Sequence, residues 1–240
     1  MNLIKNIFSS SLGKKYIMAI TGMGLFVFVV LHLIGNLQIF LGAEAINRYG
    51  HFLQSNLELI WPARIGLLVL LLLHIWSAIK VSGENKRARP VAYEQNKNTG
   101  SSYASRTMLM SGLIIAAFVI YHLLHFTVQV EAVNLQHINF VTLNEPFEDG
   151  SLRHDVFTMM VVGFSNPLVC VFYILGMSLL CLHLSHGVSA MFSSLGLKNG
   201  TYAGPLDCFA KVSSLLIFLG YVSIPIAIYF FNYGGGCSCP

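Results

Sequence analysis

The chain has 240 residues, of which 55% are hydrophobic and only 10% charged, and its mean hydropathy is +0.68. A soluble domain carries about a quarter charged residues, so this composition excludes an ordinary water-soluble globule and points to lipid as the solvent. The net charge of +4 invites a nucleic-acid reading, but the placement of the basic residues argues for membrane topology instead.

In chain order, residues 1–13 place Leu3, Ile4, Ile7 and Phe8 at helical spacing, the pattern of a short amphipathic helix on the inner membrane surface. Five apolar segments follow, at about 16–41, 61–81, 107–130, 167–190 and 206–231, each long enough to cross roughly 30 Å of hydrocarbon. Trp61–Pro62 and Asn166–Pro167 read as helix starts, because proline is tolerated in a first turn. Pro225 predicts a kink in the fifth segment. The polar stretch Ser82–Ser105 reads as a cytoplasmic loop open to a partner. The expected architecture is all-α, a single membrane domain of residues 1–240 built as a bundle of five transmembrane helices. Lys14 and Lys15 precede an apolar stretch too long for the core of a cleavable signal.

With the N-terminus cytoplasmic and the C-terminus outside, the inner side collects Lys5, Lys14, Lys15, Lys80, Lys86, Arg87, Arg89, Lys97, Arg106, Lys198 and Lys211. The outer side receives only Arg48, Arg64 and Arg153, a positive-inside bias. The basic balance therefore reports orientation, and no nucleic-acid partner is expected. Cys170, Cys181 and Cys208 lie in apolar stretches, where cysteine acts as a small hydrophobe. No Cys-x-x-Cys-His occurs, so covalent c-type haem is not expected, and Cys237 and Cys239 read as part of a flexible tail.

Histidine inside a membrane span is costly and marks function by default. His32, His74, His122, His125, His183 and His186 all fall within the segments. At the α-helical rise, His32 and His122 lie roughly 24 and 23 Å above the inner ends of their outward-running helices. His74 and His183, on inward-running helices, both lie about 10 Å above the inner ends. Two pairs at two levels about 13 Å apart are what two bis-histidine haems across a membrane require. His125 and His186 each follow a candidate by three residues and are rival ligands. Gly22 and Gly112 fall near the level of the inner pair, and Gly66 and Gly176 near the outer pair, where small residues give a haem room or simply let helices approach. Zinc ligands would cluster at one level with cysteine or carboxylate help, and these four histidines split between two.

These residues resemble the single-subunit, five-helix, di-haem cytochrome b anchor of succinate dehydrogenase and fumarate reductase, the succinate:quinone oxidoreductases. The resemblance covers nearly the whole chain. It is most specific in Val30–Asn36 (VLHLIGN), then Gly42–Asn47 (GAEAIN) and His51–Phe52. Thr21–Gly22, Ser111–Gly112 and His183–Gly187 (HLSHG), running on to Leu195–Gly196, also match the family pattern. The resemblance implies that His122 and His183, rather than His125 and His186, are ligands. It implies two haem b groups, the outer iron held by His32 and His122 and the inner by His74 and His183. It implies a flavoprotein subunit that oxidises succinate or reduces fumarate, an iron–sulfur subunit on the cytoplasmic face, and menaquinone as the electron partner in a bacterial cytoplasmic membrane. This chain would then perform the quinone half-reaction.

A quinone needs an apolar slot with hydrogen-bonding groups and a proton route. Glu58, Gln54 and His51 are the leading candidates, with Gln38, His125 and Gln129 nearby at the outer level. Arg64 outside, and Lys80 or Arg106 inside, are candidates for haem propionates by depth. Some family members carry an acid two residues before the fourth ligand; here that position is Cys181, which puts an acid-based path there in doubt. Two other readings compete: a di-haem cytochrome b for another quinone-linked dehydrogenase, such as a hydrogenase or formate dehydrogenase, and a haem-free transporter or scaffold.

Overall fold

The computed structural model describes residues 3–88, 106–148 and 150–235. Helix α1 (Leu3–Ser9) leads into α2 (Ser11–Leu37), which tightens into a 3-10 turn over Gln38–Leu41. The chain then turns at Gly42, whose φ of +101° is a conformation that residues with a Cβ rarely adopt. Helix α3 (Ala43–Ser55) follows, then α4 (Leu57–Arg87) and α5 (Met108–His122), which runs on as a π-helical turn over Leu123–Thr127. A small hairpin of β1 (Asn144–Pro146) and β2 (Leu152–His154) precedes α6 (Val156–Gly163). Helices α7 (Pro167–Ser194) and α8 (Ala203–Phe231) complete the described residues.

Five of these stretches are long and apolar enough to cross a membrane: Ser11–Leu41, Leu57–Arg87, Met108–Thr127, Pro167–Ser194 and Ala203–Phe231. Several of their hydroxyl side chains satisfy themselves on the helix backbone. Thr21, Ser77, Ser178 and Ser214, for example, donate to carbonyls three or four residues back. Leu31, Leu68, Leu72, Leu175 and Leu216 are among many large apolar side chains left exposed, as a lipid solvent permits.

The boundaries differ from expectation in instructive ways. The second span begins at Leu57, so Trp61–Pro62 lies just inside the helix and not at its start. It continues to Arg87, well into the stretch expected as loop. The rest of that stretch, with Cys237 and Cys239, lies outside the described residues. The third span stops being α-helical at His122, eight residues short of Val130. Gln129, with φ of +59°, completes the turn out of the helix. Helix α8 is helical on both sides of Pro225. The N-caps that hold α6 and α7 are local and polar: Asp155 accepts from the Thr158 N–H at 2.9 Å, and Asn166 from the Leu168 N–H at 2.9 Å.

The chain packs as two compact units. The first gathers the described residues of Met1–Val29, Arg64–Leu113 and Leu180–Leu215; the second those of Val30–Ala63, Ile114–Leu179 and Leu216–Pro240. The second has an aromatic core, with Phe118, Phe157, Phe164 and Tyr173 packed beside Ile39, Ile46, Ile224 and Ile228. Its helix α3, absent from the sequence expectation, is tied down by Asn47. That fully buried amide donates to Glu145 and Asp155, each at 2.9 Å, and accepts from the Phe157 N–H at 2.8 Å. Arg153, also buried, bonds Glu44 and lies 2.6 Å from Glu145. The buried groups of the first unit are more polar, and include Lys14, Thr21, Ser77, Ser111 and Ser214. There Lys14 pairs with Glu84, and Lys198 with Asp207 at 2.6 Å.

Candidate functional site

In the first unit, α4 carries His74 and α7 carries His183, and their ring centroids lie 6.4 Å apart at 68°. The Nδ1 atom of His74 lies 3.1 Å from the Met18 carbonyl and 3.3 Å from the Thr21 hydroxyl. A carbonyl can only accept, so His74 carries its proton on Nδ1 and the lone pair on Nε2. The Thr21 hydroxyl spends its own proton on the Ile17 carbonyl at 2.7 Å and is likewise an acceptor. On α5 the arrangement repeats. Ser111 donates to the Met108 carbonyl at 3.1 Å, and its oxygen lies 3.3 Å from His183 Nδ1.

Each hydroxyl is followed by a glycine, and the glycines face the rings. A Cβ at Gly22 would stand 3.1 Å from His74 Cε1, and one at Gly112 would stand 3.2 Å from His183 Cε1. These residues let the backbone approach a histidine ring. The outer glycines do not repeat this. A Cβ at Gly176 would meet the Phe118 ring at 2.6 Å, and one at Gly66 would meet nothing within 4 Å. Of the four glycines expected to give a haem room or let helices approach, Gly22 and Gly112 thus face a histidine ring, and Gly176 makes room for an aromatic ring.

In the second unit, α2 carries His32 and α5 carries His122, with ring centroids 5.8 Å apart at 81°. Phe118 stacks on His122 at 6.3 Å and 20°, and Tyr221 lies 6.2 Å from His32. The Tyr173 hydroxyl lies 3.4 Å from His122 Nδ1 and 3.1 Å from His125 Nδ1. His125 is fully buried, with its ring 4.1 Å from that of Phe126, and His186 is half-buried in the first unit.

Two imidazoles on opposite sides of one metal atom place their centroids roughly 6 Å apart, from two metal–nitrogen bonds of about 2 Å and the two ring radii. Both pairs have that spacing, and His74 and His183 have Nδ1 engaged and Nε2 left for a metal. Each pair supplies two nitrogens. Among the described residues no group of three or more His, Cys, Asp or Glu is placed to hold a bare ion. The donor set suits a metal that arrives with its remaining ligands, as haem iron does.

The quinone candidates scatter. His51 is half-buried, 4.5 Å from the Phe147 ring and 3.3 Å from the Ser55 hydroxyl. Gln54 and Glu58 are exposed on either side of the break between α3 and α4. Glu58 stands in the first turn of α4, where a carboxylate complements the helix dipole. The depression beside it is open and lined by Ser55–Leu59 alone. Gln129 bonds His154 at 3.0 Å, which occupies it within the connection between α5 and α6. Arg64, Lys80 and Arg106 are all exposed.

Sequence reasoning missed Tyr173. Its signal was one hydroxyl among several polar side chains of its span, which depth counting along the histidine helices does not weigh. The described residues define a helical protein with five helices fit to cross a membrane and two facing histidine pairs. No family model matches the chain, and no curated protein or solved structure is detectably similar to it.

Proposed function

We propose that this chain is the membrane anchor and di-haem cytochrome b subunit of a succinate:quinone oxidoreductase, passing electrons between an iron–sulfur subunit and a membrane quinone. The observation that carries the reading is the two facing histidine pairs, His74 with His183 and His32 with His122, each at a spacing at which two imidazoles could hold one metal. A haem b held by two imidazoles supplies one-electron transfer with no open iron position for oxygen or substrate.

The chain's own residues do the rest. Thr21, Ser111 and the Met18 carbonyl hold the Nδ1 protons of the first pair, which orients the rings and fixes the tautomer that can bind a metal. The apolar helices keep water from both pairs and anchor the assembly in lipid. The match of Val30–Asn36, Gly42–Asn47 and His183–Gly187 to the family pattern supports the choice of dehydrogenase. On this reading a flavoprotein subunit performs the dicarboxylate chemistry, and it docks with the iron–sulfur subunit on the cytoplasmic face of a bacterial membrane. Menaquinone is the quinone. The exposure of Gln54 and Glu58 leaves them open to a lipid-soluble substrate.

Purification with the native partner subunits, followed by a reduced-minus-oxidised spectrum and haem stoichiometry, tests the reading. Two b-type haems per chain are expected, and fewer would defeat it. His74→Ala and His183→Ala should each remove the same haem, and His32→Ala and His122→Ala the other. Loss of one common haem from His32 and His74 variants would show the pairing to be wrong.

A further inference from the structure

We infer that Tyr173 and His125 form a directional hydrogen-bond chain leading away from His122, and that this chain positions His122 and sets the redox potential of the metal centre it serves. The inference rests on the haem reading of the His32–His122 pair.

One phenol oxygen stands within reach of two histidine Nδ1 atoms, 3.4 Å from His122 and 3.1 Å from His125. A hydroxyl has one proton, so it donates to one ring and accepts from the other. Two orders are possible, and the role of His122 selects between them. A neutral imidazole that ligates through Nε2 keeps its proton on Nδ1. His122 Nδ1–H therefore donates to the Tyr173 oxygen, and the Tyr173 O–H donates to His125 Nδ1. The His125 proton is then left on Nε2. That atom is buried and has no hydrogen-bond partner among the described residues.

A buried unpartnered N–H is costly, and native structures seldom keep one without reason. Here the orphan is the far end of a chain whose near end is a ligand. The local backbone is shaped for it. The α-helix gives way to a π-helical turn over Leu123–Thr127, a feature that often accompanies function, and this turn carries His125. Phe118 and Phe164 pack against Tyr173 at 5.2 and 5.0 Å and hold the phenol in place.

An acceptor on the far nitrogen makes a ligating imidazole a stronger donor to its metal, which favours the oxidised form. Tyr173 accepts more strongly when its own proton is given to His125, because hydrogen bonds in series polarise one another. His125 is thus a positioning residue that acts through Tyr173.

Redox titration and electron paramagnetic resonance of the purified holo-complex test this. Tyr173→Phe should keep both haems. It should move one centre, the one lost in His122→Ala, to a higher potential with an altered low-spin signal, and leave the other centre unchanged. His125→Leu should shift the same centre in the same direction by less. His125→Asn, which keeps an acceptor near the Nδ1 position, should restore the native value. In the Tyr173→Phe background, His125→Leu should add nothing. Unchanged potential and signal in Tyr173→Phe would overturn the inference, as would an equal His125→Leu shift with or without Tyr173. If Tyr173→Phe loses its haem, His125→Leu decides alone, and an unshifted centre overturns the chain. An unmodified complex without b-type haem would overturn the haem reading and this inference together, whereas two haems with unmoved potentials would overturn this inference only.

Discussion

The two histidine pairs have similar ring spacings but are held by different means. In the first unit each ring rests against a glycine, and its Nδ1 atom meets an aliphatic hydroxyl one residue before that glycine. The motif occurs twice, as Thr21–Gly22 on α2 and Ser111–Gly112 on α5. In the second unit the corresponding duty on His122 falls to a phenol, shared with a second histidine and wedged among aromatic rings. Close backbone approach orients one pair; side-chain packing orients the other. The first solution depends on the absence of a Cβ, so it should be intolerant of added atoms. The second depends on volume and on one hydroxyl, so it should be sensitive to subtler changes.

Gly22→Leu and Gly112→Leu should break the comparison most severely. A Cβ already presses on each imidazole, and the rest of a leucine has no room without moving the ring. On the haem reading proposed above, haem stoichiometry should fall from two towards one per chain, with the centre served by His32 and His122 retained. Gly66→Leu, where a Cβ meets nothing within 4 Å, is the matched control and should leave both.

Asn47→Ala should come next, and should affect the second unit. It leaves Asp155, Glu145 and the Phe157 N–H without the amide that bonds them, at a cost of roughly 3 kcal/mol. A lower melting temperature and faster proteolysis of the 131–155 segment would show it. Equal stability to wild type would mean that the connection between α5 and α6 is held elsewhere.

On the same haem reading, Ser111→Ala should shift the potential of the centre held by His74 and His183 by an amount equivalent to about 1 kcal/mol, the worth of one hydrogen bond. Thr21→Val should do less, because the Met18 carbonyl accepts the same His74 proton. Equal shifts in the two variants would contradict that redundancy.

The smallest effect expected is a pH dependence in the second unit. Burial pushes the pKa of His154 below its ordinary value of 6.5, against weaker opposing effects from the Leu143 backbone and Asp155. The unfolded chain takes up this proton first on acidification, so stability is full above about pH 6.5 and declines as pH falls from there towards the folded-state pKa. Glu44 is held below its ordinary 4.5 by hydrogen bonds from Arg153 and Arg48, so its contribution fades only in stronger acid. Melting temperatures between pH 7 and 5.5 should fall, and His154→Gln should flatten that slope.

The five spans and the level matching of the histidines were legible in the sequence because both depend on one-dimensional facts, namely apolar length and a constant rise per residue. Spacing alone left His122 and His125 as rivals, and it was the family resemblance that favoured His122. What spacing did not show is the π-helical turn that carries His125 and the Tyr173 hydroxyl within reach of both rings. Helix α3 was hidden for a related reason. Gly42–Asn47 was visible as a pattern, but the partners of Asn47 lie 98 to 110 residues away.

By itself, then, the sequence determined the solvent, the number of crossings and which histidines stand level, since hydropathy and helical rise act locally along the chain. Tertiary structure alone decided which atom of His74, His183, His122 and His125 is engaged, which glycines face a ring, and that the Tyr173 hydroxyl lies within reach of both His122 and His125. Those depend on distances between helices, and hydrogen bonds of about 3 Å are made or lost over shifts that no spacing rule resolves.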